Sequence, residues 1–201
     1  MPYRIVAVVE GQGEVAALPA LLRRVLAQLN PPTEIEIARP IRQPRGTLLK
    51  DGGIEAAVGL AAIAMGASGT VLLLLDSEGD CPAEMAALLL RRAQGVRRDK
   101  RISVVLAHHE FEAWFLASAA SFRGIRGFSE AITDHHDPES VSGCKEWLEA
   151  WLPPTSKYSE TTDQVALAAV FNMAAARERA PSFDKFWREI EIICTHAVLT
   201  Q

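Results

Sequence analysis

The sequence has few cysteines, no long hydrophobic run and no large excess of either charge, and each absence excludes a class of protein. Its three cysteines, Cys81, Cys144 and Cys194, are odd in number and far apart. This spacing fits neither a disulfide framework nor a site built on cysteine pairs. No apolar run approaches the roughly 18 residues that a membrane span needs, and the N-terminus lacks the pattern of a signal peptide. We therefore expect a cytoplasmic protein with no membrane partner.

The overall charge provides no general attraction to polyanions. The formal net charge is -4, so any binding of nucleic acid must use local basic loops. One basic segment, residues 91–101, is typical of a solvated surface at a helix end. A second group, Arg39, Arg42, Arg45 and Lys50, follows a predicted strand directly and could lie beside a ligand site.

Apolar runs alternate with segments of helical periodicity along the first 120 residues. Residues 5–9, 71–75 and 102–106 are nearly continuous apolar runs, typical of strands buried on both faces of a parallel sheet. Residues 34–38 alternate like an edge strand. This order predicts an α/β fold, Rossmann-like, with a mostly parallel sheet flanked by helices.

From about residue 121 the pattern changes to helices and polar loops. One helix is predicted over residues 165–176, and a last amphipathic helix follows residue 182. We interpret residues 1–120 as an α/β core and residues 121–201 as a C-terminal helical appendage packed on that core, within a single structural domain.

Acidic residues follow three of the predicted strands. They are Glu10 after the first strand, Asp76, Glu78 and Asp80 after the central strand, and Glu110 and Glu112 after the third. The carboxyl ends of parallel strands meet at one edge, where ligands bind. Clustered carboxylates usually hold a cation, and oxygen ligands without histidine or cysteine favour Mg²⁺ or Mn²⁺.

Some of these acids have a simpler interpretation. Glu14 and Asp80 stand where helices begin, and we favour helix capping for both. Glu10 and Asp76 directly terminate apolar strands, which favours a metal role. In EFEAWF, only one of the two glutamates can face the cluster, because they lie on opposite flanks of the predicted helix. The Gly11-x-Gly13 pair lacks the rest of a nucleotide-binding fingerprint and indicates a tight turn.

The motifs Glu10-Gly11 and Asp76-Ser-Glu78 resemble the Toprim domain of topoisomerases, primases and overcoming-lysogenization-defect nucleases. In that domain a glutamate and an Asp-x-Asp motif bind Mg²⁺ for phosphoryl transfer. More closely, VEGQGE, ARPIRQPRG, LLLLDSEGDCP, EFEAW, KYSETTDQ and RAPSF resemble, in this order, the bacterial family called domain of unknown function 4276, which is classed as Toprim-like. The similarity spans nearly the whole chain.

The resemblance implies a metal site at Glu10, Asp76 and Glu78, with Asp80 and Glu112 as additional ligands. Glu78 departs from the Toprim pattern, because it replaces the second aspartate and has a longer side chain. Glu10, Asp76 and Glu78 would be the catalytic residues, with Glu10 either a ligand or a general base.

Two functions remain open from the sequence. The first is a Mg²⁺-dependent phosphoryl-transfer enzyme that acts on nucleic acid, in the manner of a nuclease, with Arg42, Arg45 and Lys157 as phosphate contacts. Lys157 is equally well explained as a surface lysine. The second is a non-catalytic sensor that uses the same scaffold to bind a protein partner or a second copy of itself.

Overall fold

The computed structural model describes residues 2–200 and contains one sheet of five strands. The strands are β1 (Tyr3–Val9), β2 (Ile35–Ile37), β3 (Ile41–Arg42), β4 (Gly69–Asp76) and β5 (Arg101–Ala107). Every pairing is parallel, the order is β2-β1-β4-β5, and β3 pairs with the last residues of β1. The predicted α/β class with a parallel, Rossmann-like sheet is confirmed.

Helices cover both faces of the sheet. Those of the first half are α1 (Glu14–Leu29), α2 (Arg45–Leu48), α3 (Gly53–Met65), α4 (Pro82–Val96) and α5 (Ala113–Leu116). Those of the second half are α6 (Cys144–Glu149), α7 (Asp163–Ala168), α8 (Met173–Arg179) and α9 (Pro181–Leu199), preceded by 3-10 turns at Ala119–Phe122 and Pro138–Ser140. Within residues 2–200, no helix combines the length and hydrophobicity needed to cross a bilayer.

The side chains of β1 alternate between two hydrophobic layers, as the period of a strand requires. Val6 and Val8 pack with α3 and α4 on one face. Ile5 packs on the other face with α1, α5 and the helices of the second half, including Phe183 and Phe186 of α9. Burial on both faces explains why the strands read as continuous apolar runs.

The single helix predicted over residues 165–176 is wrong, because the chain forms two helices there. Helix α7 ends at Ala168, and α8 begins after Asn172, whose side chain accepts hydrogen bonds from the amides of Ala174 and Ala175. Asn172 is thus an N-cap that satisfies the first amides of a new helix. The apolar periodicity continues across the break between α7 and α8, so the sequence pattern does not reveal that the helix ends there.

Candidate functional site

Glu10 and Asp76 lie side by side at the C-terminal edge of the sheet. The parallel register of β1 and β4 pairs Val9 with Leu74, so both strands end at the same level. The Oε1 atom of Glu10 accepts a hydrogen bond of 2.5 Å from the backbone amide of Asp76. The structure therefore brings together the two acids that directly terminate buried strands.

An acidic cavity of about 190 Å³ opens at this edge. Its walls come from the ends of β1 and β4, from the turns beside α1, α2 and α5, and from the second half of the chain. We call it the acid cavity; it is lined by Glu10, Gly11, Gly13, Glu14, Pro44, Arg45, Asp76, Glu112, Lys145, Glu160 and Gln164. Five of these side chains are acidic and two are basic, so the cavity carries an excess of carboxylates.

The Gly11-x-Gly13 turn lets the walls of the acid cavity approach each other closely. A Cβ atom on Gly13 would lie 2.5 Å from the carbonyl oxygen of Glu160, and one on Gly11 would lie 2.7 Å from Oε2 of Glu14. A side chain at Gly13 would have to displace the backbone at Glu160, whereas one at Gly11 would have to displace only the carboxylate of Glu14. The turn predicted beside the acidic edge is therefore needed for close packing at the cavity wall.

Burial raises the pKa of several carboxyl groups around the acid cavity. Loss of solvation is the main cause for Glu10 and Glu112, and for Glu14, whose pKa rises to about 7. The pKa of Asp76 lies well above its usual value because burial is reinforced by the charges of Glu14 and Glu112. Such a cluster favours the uptake of positive charge, whether as protons or as a cation.

Glu112 is the member of EFEAWF that faces the acid cavity. Its side chain is buried and accepts hydrogen bonds from Tyr158 (3.1 Å) and the amide of Gln164 (3.2 Å). Glu110 points instead to the start of α6, where it accepts from the amides of Gly143 and Cys144. The sequence predicted that only one of the two glutamates could face the cluster, and the structure identifies which one.

Lys145 of α6 is the basic residue that the second half of the chain contributes to the acid cavity. Its Nζ atom lies 2.8 Å from Glu110, 3.4 Å from Glu112 and 3.5 Å from Glu160. Burial alone would lower the pKa of Lys145, but the surrounding carboxylates outweigh burial and raise it. Lys145 therefore stays charged and compensates part of the negative charge in the cavity.

Arg45 pairs with two acids of the central motif, Glu78 and Asp80, which do not line the acid cavity. Its guanidinium lies 3.3 Å from Glu78 and 3.2 Å from Asp80, and it also donates to the carbonyl oxygen of Asp76. Glu78 and Asp80 are exposed, with side-chain exposures of 65% and 58%. The structure places both residues on the rim and not among the cavity walls.

The capping roles expected for Glu14 and Asp80 are wrong. Neither α1 nor α4 has a side-chain cap at its start. Glu14 is buried and accepts a hydrogen bond of 2.5 Å from the amide of Gly11, and Asp80 pairs with Arg45. Burial makes Glu14 part of the site, although its position at the start of a helix indicated a cap.

The predicted phosphate contacts have different positions in the structure. Arg45 lines the acid cavity but is engaged by acids, whereas Arg42 is exposed at the end of β3, next to Val9. Lys157 is 80% exposed and pairs with Glu149. The motif KYSETTDQ instead lines the cavity through Glu160 and Gln164, and its Tyr158 donates a hydrogen bond to Glu112.

The donor set of the acid cavity fits a hard divalent cation in its chemistry. The Oε2 atoms of Glu10 and Glu112 are buried without a hydrogen-bond partner, and each faces one basic side chain, Arg45 at 3.8 Å and Lys145 at 3.4 Å. Carboxylate oxygens are the ligands that Mg²⁺ and Mn²⁺ prefer. No group of three or more His, Cys, Asp or Glu side chains within residues 2–200 is arranged as a metal site. Holding a cation would therefore require these carboxylates to move closer together.

We expect the stability of the protein to fall between about pH 5 and pH 8. Glu14 has a raised pKa of about 7, so below that pH the folded protein keeps a proton that the unfolded chain loses near pH 4.5. This contribution to the stability of the folded protein is fully present below the pKa that Glu14 has in the unfolded chain, and it is lost as the pH rises through about 7. The contribution of Glu14 is about 3 kcal/mol, and the raised pKa values of Glu10 and Glu112 act in the same direction.

Urea denaturation at pH 5 and pH 8 measures this effect. Glu14→Gln should reduce the pH dependence, whereas Glu178→Gln, a change at an exposed position on α8, should leave it unchanged. The charges of Glu10, Glu112 and Glu160 add to the effect of burial and raise the pKa of Glu14 further. A wild-type protein that becomes more stable between pH 5 and pH 8 would contradict these raised pKa values.

Comparison with known protein families supports the resemblance to the domain of unknown function 4276. The family described as Domain of unknown function (DUF4276) matches residues 9–191, and the chain belongs to that family. Comparisons with curated proteins and with solved structures found no match.

Proposed function

We propose that this member of the DUF4276 family is a Toprim-like, Mg²⁺- or Mn²⁺-dependent phosphoryl-transfer enzyme that acts on nucleic acid as a nuclease. The observation that carries the proposal is the acid cavity, where Glu10 and Asp76 meet at the carboxyl ends of two parallel strands. Ligands of open α/β sheets bind at this edge, and raised carboxyl pKa values are typical of functional sites.

The residues of the acid cavity suit distinct tasks. Glu10, Asp76 and Glu112 would hold the cation through their carboxylate oxygens, and Glu78 and Asp80 would join them only after leaving Arg45. A bound divalent ion would supply neutralisation of the phosphodiester and activation of water. Glu14 can accept or release a proton near neutral pH, because burial raises its pKa to about 7.

A screen for nucleic-acid cleavage tests this function. Purified protein is incubated with single- and double-stranded DNA and RNA, in Mn²⁺, in Mg²⁺ or with a chelator. We expect cleavage of at least one substrate in the presence of metal and none with the chelator. Absence of cleavage of every substrate, with the protein folded and metal present, would reject the nuclease proposal.

A second function is favoured by the two basic side chains that line the cavity, Lys145 and Arg45. Lys145 lies within 3.5 Å of three glutamates and Arg45 neutralises the rim, so the charges are partly compensated without a metal. This arrangement suits a non-catalytic sensor that binds a protein partner. A folded protein with neither metal binding nor turnover would support this second function.

We also propose that the protein acts in the cytoplasm. Its three cysteines are free, and Cys144 and Cys194 are buried. Free thiols are typical of a reducing compartment. Detection of the native protein in a fractionated cell extract measures this location directly.

A further inference from the structure

A second cavity of about 340 Å³ lies between α1 and the segment that joins β2 to β3. We call it the arginine groove; its walls are Val15, Ala16, Pro19, Arg23, Ile37, Ala38, Arg39 and Pro40. Arg23 comes from α1 and Arg39 from the segment after β2, so each wall of the groove contributes one arginine. None of these eight lining residues is acidic.

Both arginines of the groove are available to a ligand. Arg23 and Arg39 are exposed, and neither side chain has a hydrogen bond or ion pair within residues 2–200. The neighbouring Arg24 differs, because it donates to the carbonyl oxygens of Ala168 and Phe171 and so fastens α1 to α7. The groove therefore carries two positive charges that the fold does not use.

The residues that line the arginine groove and those that line the acid cavity are neighbours along two stretches of chain. On one wall, Glu14 lines the acid cavity and the next residue, Val15, lines the groove. On the other wall, Arg39 lines the groove and Arg45 lines the acid cavity. Arg42, exposed at the end of β3, lies between Arg39 and Arg45 in the sequence and adds a third positive charge to this stretch.

We infer that the arginine groove binds the phosphate backbone of a polynucleotide strand and leads that strand to the acid cavity. This inference rests on the proposed function and names the binding path of its substrate. Guanidinium groups bind phosphate through paired hydrogen bonds, and aliphatic side chains such as Val15 and Ile37 offer surface for sugars and bases. Net negative charge elsewhere on the protein confines such binding to a local patch.

The spacing along α1 favours a strand over a small phosphate ligand. Arg23 lies nine residues after Glu14, or about 13 Å along the helix axis. One phosphate group cannot contact both places. A polynucleotide carries a phosphate at every nucleotide and can contact the groove and the acid cavity at once.

Fluorescence anisotropy with short labelled single strands of DNA and RNA, in chelator so that they stay intact, tests the inference. The Arg23→Gln/Arg39→Gln double variant should bind about 100-fold more weakly, because each charged hydrogen-bonding side chain contributes about tenfold to affinity. The slope of log K against log salt should also shrink by about 1.4, at about 0.7 for each phosphate that an arginine neutralises. The control, Arg91→Gln/Arg98→Gln, removes two exposed arginines near the N-terminal edge of the sheet and should change binding less than twofold.

The results separate this inference from the proposed function. If the Arg23→Gln/Arg39→Gln variant binds as tightly as the wild type, the inference is overturned. It is also overturned if the control variant weakens binding as much as this double variant does, because that result would indicate diffuse electrostatic attraction. A wild-type protein that binds neither strand would overturn it as well. The rise in melting temperature caused by Mn²⁺, measured on the same samples, should be equal in all variants and reports on the acid cavity alone.

Discussion

We expect the Glu10→Gln variant to cleave nucleic acid at least about 100-fold more slowly than the wild type. This is the scale for removing a positioned acid-base or ligand group. Glutamine keeps a carbonyl oxygen that can accept the hydrogen bond from the amide of Asp76, so the sheet edge should stay intact. The change replaces Oε2, which is buried without a hydrogen-bond partner, by an NH₂ group that cannot bind a cation. Turnover should therefore fall while substrate binding changes little.

Initial rates in Mn²⁺ and anisotropy with the same oligonucleotide measure the two effects separately. Glu178→Gln is the matched control, because it makes the same chemical change at an exposed position on α8. Equal cleavage by Glu10→Gln and wild type would point to a contaminating nuclease and remove the support for catalysis at this cavity.

The Lys145→Met variant should lose about 3 kcal/mol of stability at pH 8, the lower end of the range for breaking a buried ion pair. Lys145 is the ammonium that faces Glu110 and the buried Glu112, and methionine keeps most of its volume. Without it, carboxylates remain in a poorly solvated site with less positive charge. The loss should be smaller at pH 5, because burial raises the pKa of Glu112 and favours its protonation.

Thermal unfolding should show a decrease of about 6–12 °C for a domain of this size. Adding Glu112→Gln should recover part of the loss, since the double variant removes the charge that Lys145 compensates. Lys157→Met is the control, because Lys157 is 80% exposed and exposed ion pairs contribute little. A stability of Lys145→Met equal to wild type, at both pH values, would show that Lys145 is not the counterion of this cavity.

The sheet and its two terminal acids could be predicted because their causes are local. A strand buried on both faces has to be apolar throughout, and a carboxylate placed directly after such a strand has to lie at the carboxyl edge. The positions of Glu10 and Asp76 follow from these two facts. The choice between Glu110 and Glu112 needed the structure, because α5 has only four residues and packing decides which side chain is buried.

The rest of the acid cavity depends on contacts between distant parts of the chain. Lys145 and Gln164 lie more than 30 residues beyond Glu112, and no local pattern distinguishes them from surface residues. Glu78 has a positive φ of 51° and pairs with Arg45, and strand periodicity predicts neither feature. The apolar pattern places residues in the core, but it does not encode which polar side chains meet at its edge.

Titration with Mn²⁺, followed by the melting temperature, tests most directly that the acid cavity binds a divalent cation. Mn²⁺ at about 100 times its dissociation constant should stabilise the folded protein by about 2.7 kcal/mol, or about 5–10 °C. Asp76→Asn should abolish the rise and make the metal-free protein more stable, since it removes a charge repelled by Glu14 and Glu112. It also keeps an oxygen that can accept from the amide of Phe111. Unchanged melting of the wild type in Mg²⁺, Mn²⁺ and Ca²⁺, or an equal rise in Asp76→Asn, would contradict the metal site.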